Sequence, residues 1–187
     1  MRTATVQIAA LTPYSQSRPL KSVKNKNETH DDFHSRVWPE HLHVDDEGQV
    51  VIPPTAILQG MAVAASYLGK GGLLKKKGQS TWAENFRCGL AMARGSRIGK
   101  DQAAARPEPV YCSPNGKRGG GTRVWRTFPV FDDWRATLTI HILDDTIPDA
   151  VFEAVLDAFG LFIGIGRYRP ENGGYLGRFT IEACSIK

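Results

Sequence analysis

The chain has 187 residues, 41% of them hydrophobic and 23% charged, with a formal net charge of +5. This length and composition argue against an intrinsically disordered chain and leave enough apolar residues for one sizeable core. The basic surplus favours polyanionic partners, while three widely spaced cysteines with no CxxC pair exclude a zinc ribbon and argue against a disulfide framework.

The first strand is expected over Ala4 to Leu11, ended by Thr12-Pro13. Nothing in Met1 to Leu11 has the long apolar stretch and small-residue cleavage site of a signal peptide. No apolar run approaches the length of a membrane span, so none is expected, and the odd, widely spaced cysteines fit a reducing cytoplasm best. Tyr14 to Glu28, with Arg18, Lys21, Lys24 and Lys26, reads as a basic loop. Thr29 is placed to cap a short helix through about Val37, with Asp31 and Asp32 in its first turn and Trp38-Pro39 at its end. Leu42 to Val44 and Val50 to Ile52 flank Asp45-Asp46-Glu47-Gly48 as a small hairpin.

Pro53-Pro54 then opens a helix in which Ile57, Met61, Ala64, Ala65 and Leu68 share a face and Gly69 is the stop. Lys70 to Ser80, with Lys75-Lys76-Lys77, is a second basic loop. Phe86 to Ala93 reads as a strand, and so does Val110 to Cys112. Arg123 to Phe131 and Trp134 to Leu143 read as a strand pair joined by a turn at Asp132-Asp133. Thr146 is expected to cap a helix with Pro148 near its first position and Val151, Phe152, Val155, Leu156 and Phe159 as its buried stripe. Arg178 to Ile186 is the last strand. The core order strand, helix, strand, strand, helix, strand predicts an α+β chain. It would form one ferredoxin-like domain, an antiparallel sheet with helices on one face, with insertions at about 13–51 and 70–110. The free sheet face of such a fold is a frequent site of RNA binding.

Gly164 to Arg178 carries the densest functional signal. Five glycines let the backbone approach a ligand, and Arg167, Arg169 and Arg178 can fork onto phosphates. Tyr168 and Tyr175 can stack on bases. The loop precedes a strand and not a helix, which excludes Rossmann and P-loop readings. A second basic, glycine-rich patch holds Lys117, Arg118, Arg123 and Trp125. Between Arg87 and Arg126 there are nine Lys or Arg against only Asp101 and Glu108.

The segment Gly164 to Arg178 resembles the glycine-rich loop of the RAMP proteins of CRISPR systems, which also lies between the last helix and the last strand. Val51 to Gly60 resembles a second landmark of that family, with Gln59 where the family carries a lysine. The chain is also similar to uncharacterised phage and mobile-element proteins with the same type of ending. The resemblance implies a ferredoxin-like fold and single-stranded RNA or DNA as partner. It further implies self-assembly along the strand or a CRISPR-type protein partner, in a bacterial host cell.

Two other readings stand beside this one. His30, His34, His41 and His43 cluster with Asp31 and Asp32, and His30 and His34 have the i,i+4 spacing that can chelate a cation, which suggests a metal-dependent nuclease. The third is a protein-interaction module that mimics a RAMP subunit. No histidine, serine or tyrosine sits in a recognisable catalytic motif, so the loop reads as a grip rather than an active site, with no cofactor expected.

Overall fold

The computed structural model describes residues 1–74, 81–113 and 123–187. In chain order its elements are β1 Arg2–Ala10, β2 Tyr14–Ser15, α1 His30–Val37, β3 Gln49–Ile52, α2 Pro54–Lys70 and α3 Ala83–Cys88. They continue with β4 Leu90–Ala91, β5 Ser96–Asp101, β6 Arg106–Cys112, β7 Val124–Phe131, β8 Arg135–Ile142, α4 Asp149–Ala158 and β9 Phe179–Ile186.

Strict alternation builds the main sheet. Ala4, Val6 and Ile8 of β1 are buried while Thr5 and Gln7 face out, and Leu138, Ile140 and Ile142 of β8 alternate with Thr137 and Thr139 in the same way. The strands run in the order β4-β8-β1-β9, with every pairing antiparallel. On the buried face, α2 contributes Ile57, Met61, Ala64 and Ala65, and α4 contributes Phe152, Val155 and Leu156, all in one hydrophobic core with the sheet. The outer face carries Thr5, Gln7, Thr137, Thr139 and Ser185. Among the described residues it bears no Phe, Tyr or Trp, and its imidazole, His141, lies 3.2 Å from Thr3 Oγ1.

The chain is an α+β arrangement of antiparallel sheets and helices, as expected, but four local expectations fail. The segments flanking Asp132-Asp133 do not pair with each other. β7 pairs with β2 and β6, and β8 pairs with β1. Tyr14 lies opposite Phe131 and Ala9 opposite Arg135, so β7 and β8 run on in succession alongside β2 and β1, passing from one sheet to the other at residues 132–134. Asp132-Asp133 is a corner and not a reversal. It lacks the glycine that tight hairpin turns favour, and Ala10 N–H to Trp134 O (2.9 Å) and Trp134 Nε1–H to Thr12 O (3.1 Å) fix the bend.

The stretch from Phe86 to Ala93 is likewise not one strand. Phe86 is buried in the short helix α3, and only Leu90–Ala91 reaches the sheet, as its edge beside β8. Nor is Tyr14 to Glu28 wholly a loop, because Tyr14, Ser15 and Gln16 are buried and β2 belongs to the second sheet. At the helix starts, Thr29 does cap α1, accepting from Asp32 N–H at 3.1 Å. Pro148 holds the cap position of α4, and Thr146 bonds to Asp144 instead. Among the described residues no helix is long and apolar enough to cross a membrane.

Candidate nucleic-acid interface

The Gly-Arg loop is a folded structure pinned to the corner where β1 turns into β2. A π-helical turn, Phe159–Ile163, follows α4, and the chain then doubles back. Ile165 N–H donates to Gly177 O (3.0 Å), Leu176 N–H to Tyr168 O (3.2 Å), Gly177 N–H to Pro13 O (2.7 Å) and Arg167 N–H to Ser15 O (2.8 Å). Glycine is required here for close approach. A Cβ on Gly177, at φ +75°, would sit 1.9 Å from Ile165 O, and one on Gly166, at φ +78°, would sit 2.3 Å from Ser15 O. Much of the backbone that an anion could have used is therefore spent inside the loop.

Between this loop and the exposed side of α2 runs an open groove of about 1180 Å³. Gln59, Ser66 and Tyr67 of α2 form one wall, Gly164 to Arg167 the other, and Gln16 and His43 contribute to its lining. Among the described residues that line it, Lys70, Arg87, Arg167 and Arg169 face a single carboxylate, Glu171. Four cationic side chains against one carboxylate give the described lining a positive balance.

The arginines differ in what they already hold. Arg169 is clamped to Glu171 (2.7 Å) and reaches Gly166 O (3.4 Å), so it braces the loop. Arg178 Nε donates to Leu161 O (2.9 Å) and its backbone N–H to Thr12 Oγ1 (2.9 Å), which ties the last strand to the π turn. Arg87 is paired with Glu84. Arg167 is unlike them. Its guanidinium lies 3.8 Å from the centroid of Phe128 and 5.9 Å from that of Tyr168, and among the described residues no hydrogen bond or ion pair reaches it. Burial pushes its pKa below the ordinary arginine value, partly offset by Cys112 and Glu108, yet a guanidinium remains charged at neutral pH. It is a partly desolvated cation with free donors at the edge of a groove.

Tyr168 and Tyr175 stand edge to face at 6.0 Å, each about half exposed, with Tyr168 in the left-handed region at φ 56°. On the β6–β7 ribbon, Arg123 and Trp125 are exposed, and Trp125 lies directly across from Tyr111. Lys117, Arg118 and the Lys75–Lys77 run lie outside the described residues. Phe128 and Tyr111 were not singled out from the sequence. The alternation of β7, which puts Phe128 on the face of Arg126 and Trp125 on the opposite one, was the signal that could have found them.

The histidines do not assemble as a ligand set. His30 and His34 lie against each other on α1, tilted, with ring centroids 4.6 Å apart. His41 donates Nδ1–H to Arg18 O (2.7 Å) and stacks on Phe128 at 4.7 Å, while His43 lines the groove. Among the described residues no three His, Cys, Asp or Glu side chains converge to hold a metal. Burial, with Arg126 and the neighbouring imidazoles, pushes His34 down to about 4, and burial also lowers His41 and His43. His34 and His41 are buried, with Arg126 acting on both and Phe128 against His41, and burial favours the neutral form of each.

No family model and no curated protein matches the chain. Solved structures do. A chain in the cryo-EM structure of the Type III-B Cmr-beta bound to cognate target RNA aligns at a TM-score of 0.54 and 12% sequence identity. The alignment covers 99% of this chain and 60% of that one, so this protein spans a little over half the length of its neighbour. At that identity the likeness is one of fold.

Proposed function

We propose that the protein binds single-stranded nucleic acid, RNA in the first instance, in the groove between the Gly-Arg loop and α2, and that it is a single ferredoxin-like domain of RAMP type. The observation that carries this reading is the Arg167 guanidinium, laid on Phe128 at the groove edge without a counter-ion bonded to it among the described residues. A cation left in that state is best satisfied by a ligand anion, and a phosphate accepts the guanidinium fork.

The sheet order β4-β8-β1-β9, with α2 and α4 on one face, supports the ferredoxin-like assignment. The RNA-bound neighbour supports the choice of ligand and a place in a larger protein assembly. Of the arginines expected to grip phosphate, Arg167 is assigned the direct contact, with Arg123, Lys117 and Arg118 as outlying contacts. Arg169 and Arg178 position the loop.

The test is a mobility-shift series with single-stranded RNA, single-stranded DNA and duplex across a salt range, with and without divalent metal. Retention of the single strands at low salt, falling steeply as salt rises, is expected. Failure to retain any single strand at low salt would sink the reading.

A further inference from the structure

The β6–β7 ribbon has two chemically different faces. Arg126 and Phe128 of β7, with Glu108 and Cys112 of β6, lie on the face turned toward Arg167. The other face presents Trp125 directly opposite Tyr111, their rings 5.2 Å apart. Both are about half exposed, 48% for Trp125 and 51% for Tyr111. Arg123, two residues before Trp125, is exposed at the same end of the ribbon.

A cross-strand aromatic pair stabilises a ribbon by the contact between its two rings. About half of each side chain stays exposed beside that contact. Arg123 adds a cation beside these half-exposed rings, and that combination fits a base with its phosphate.

We infer that Tyr111 and Trp125 form a base-stacking platform for single-stranded nucleic acid, separate from the groove, with Arg123 taking the adjoining phosphate. The inference rests on the proposed nucleic-acid reading and adds a division of labour. The groove holds backbone through Arg167, and the platform holds bases on the opposite side of the ribbon. A strand occupying both has to pass over the ribbon with its bases unpaired. Duplex, whose bases are already stacked and paired, engages the groove side alone.

The experiment is fluorescence anisotropy of the full chain with a labelled homopolymeric oligonucleotide and with an abasic oligonucleotide of the same length and charge. It compares the wild type with Trp125→Ala, Tyr111→Ala and Trp125→Phe, each first checked for an unchanged thermal transition. Trp125→Ala is expected to weaken binding of the base-bearing strand roughly tenfold, in line with the stacking contribution of a single base. It should leave the abasic strand unaffected, and Trp125→Phe should retain most of the affinity. Equal loss with both strands, or no loss with either, overturns the platform while leaving the groove reading intact. If neither strand binds the wild type, both fall. If Trp125→Ala turns a dimer into a monomer by light scattering, the patch is a contact between copies and the base-stacking role is overturned.

Discussion

Gly166 and the Ser15 carbonyl are in a contact that no other residue type allows. The next amide, Arg167 N–H, donates to Ser15 O at 2.8 Å, and a Cβ on Gly166 would lie 2.3 Å from the same oxygen and 2.5 Å from the Tyr14 ring. The site depends on this junction, because it sets the backbone from which Arg167 reaches Phe128. Gly166→Ala should therefore cost about 2 kcal/mol or more, from overpacking and from the positive φ. For a chain of this size that is a drop of roughly 4–8 °C in Tm. Calorimetry checks it, and an unchanged transition would show that the loop is not seated on β2.

Arg167 and Arg178 are indistinguishable by composition and opposite in structural role. Arg167→Gln should reduce single-strand affinity and lower the slope of log affinity against log salt by about 1, the loss of one phosphate contact, with little change in stability. Arg178→Gln removes the donor to Leu161 O and should lower Tm while leaving the salt slope close to that of the wild type. If the two variants behave alike in both measurements, the division between grip and brace is wrong.

The sequence carried the regular elements well and the tertiary contacts poorly, for physical reasons. Ala4-Val6-Ile8 and Leu138-Ile140-Ile142 alternate because one sheet face is buried, and Ile57 to Leu68 repeat at helical spacing because one side of α2 packs on that sheet. Both periods are local and therefore readable. The corner at Asp132-Asp133 has the same local pattern as a turn, and only the partners of β7 and β8 tell them apart. Leu90–Ala91 is too short to show a period, yet it closes the sheet edge. Arg167 and Phe128 are far apart in sequence, as are Arg178 and Leu161, so no spacing rule could separate the arginine left for a ligand from the one already occupied.

His34 gives the fold a dependence on pH. Its side chain is buried and held down to about 4, well below its ordinary 6.5, so the folded state favours the neutral ring. A protonated His34 is tolerated better by the unfolded chain. Stability is full above about pH 6.5 and declines as the pH falls toward 4, by up to about 3 kcal/mol. His41 and His43 are lowered too and act with the same sign. Glu28 and Glu40, both held at about 2, lose their contribution only between their ordinary 4.5 and that value, a lower window. Urea unfolding at pH 7.5 and pH 4.5 should show the difference, and His34→Leu should flatten it. A slope unchanged in His34→Leu would assign the effect to other groups.

Gln16 holds together three segments that the sequence leaves unconnected. It is buried, and its Nε2 donates to Tyr14 Oη (2.8 Å) and to Val51 O (2.9 Å), while its Oε1 accepts from His43 N–H (2.6 Å). These bonds join the strand under the Gly-Arg loop to the segment that leads into α2, so Gln16 fixes the spacing between the two sides of the groove. Burial pushes the Tyr14 hydroxyl well above its ordinary pKa, so it stays protonated, and its oxygen serves as an acceptor for the amide. Gln16→Leu keeps the volume but strands a hydroxyl, a carbonyl and an amide in the interior, at a cost of about 3 kcal/mol or more. Tyr14→Phe strands only one amide hydrogen and should cost about 1 kcal/mol. Chemical denaturation of both variants should place Gln16→Leu clearly lower, with a matching loss of single-strand affinity as the groove walls lose their spacing. Equal stabilities would mean that the carbonyl and the amide find other partners and that Gln16 does not set the groove.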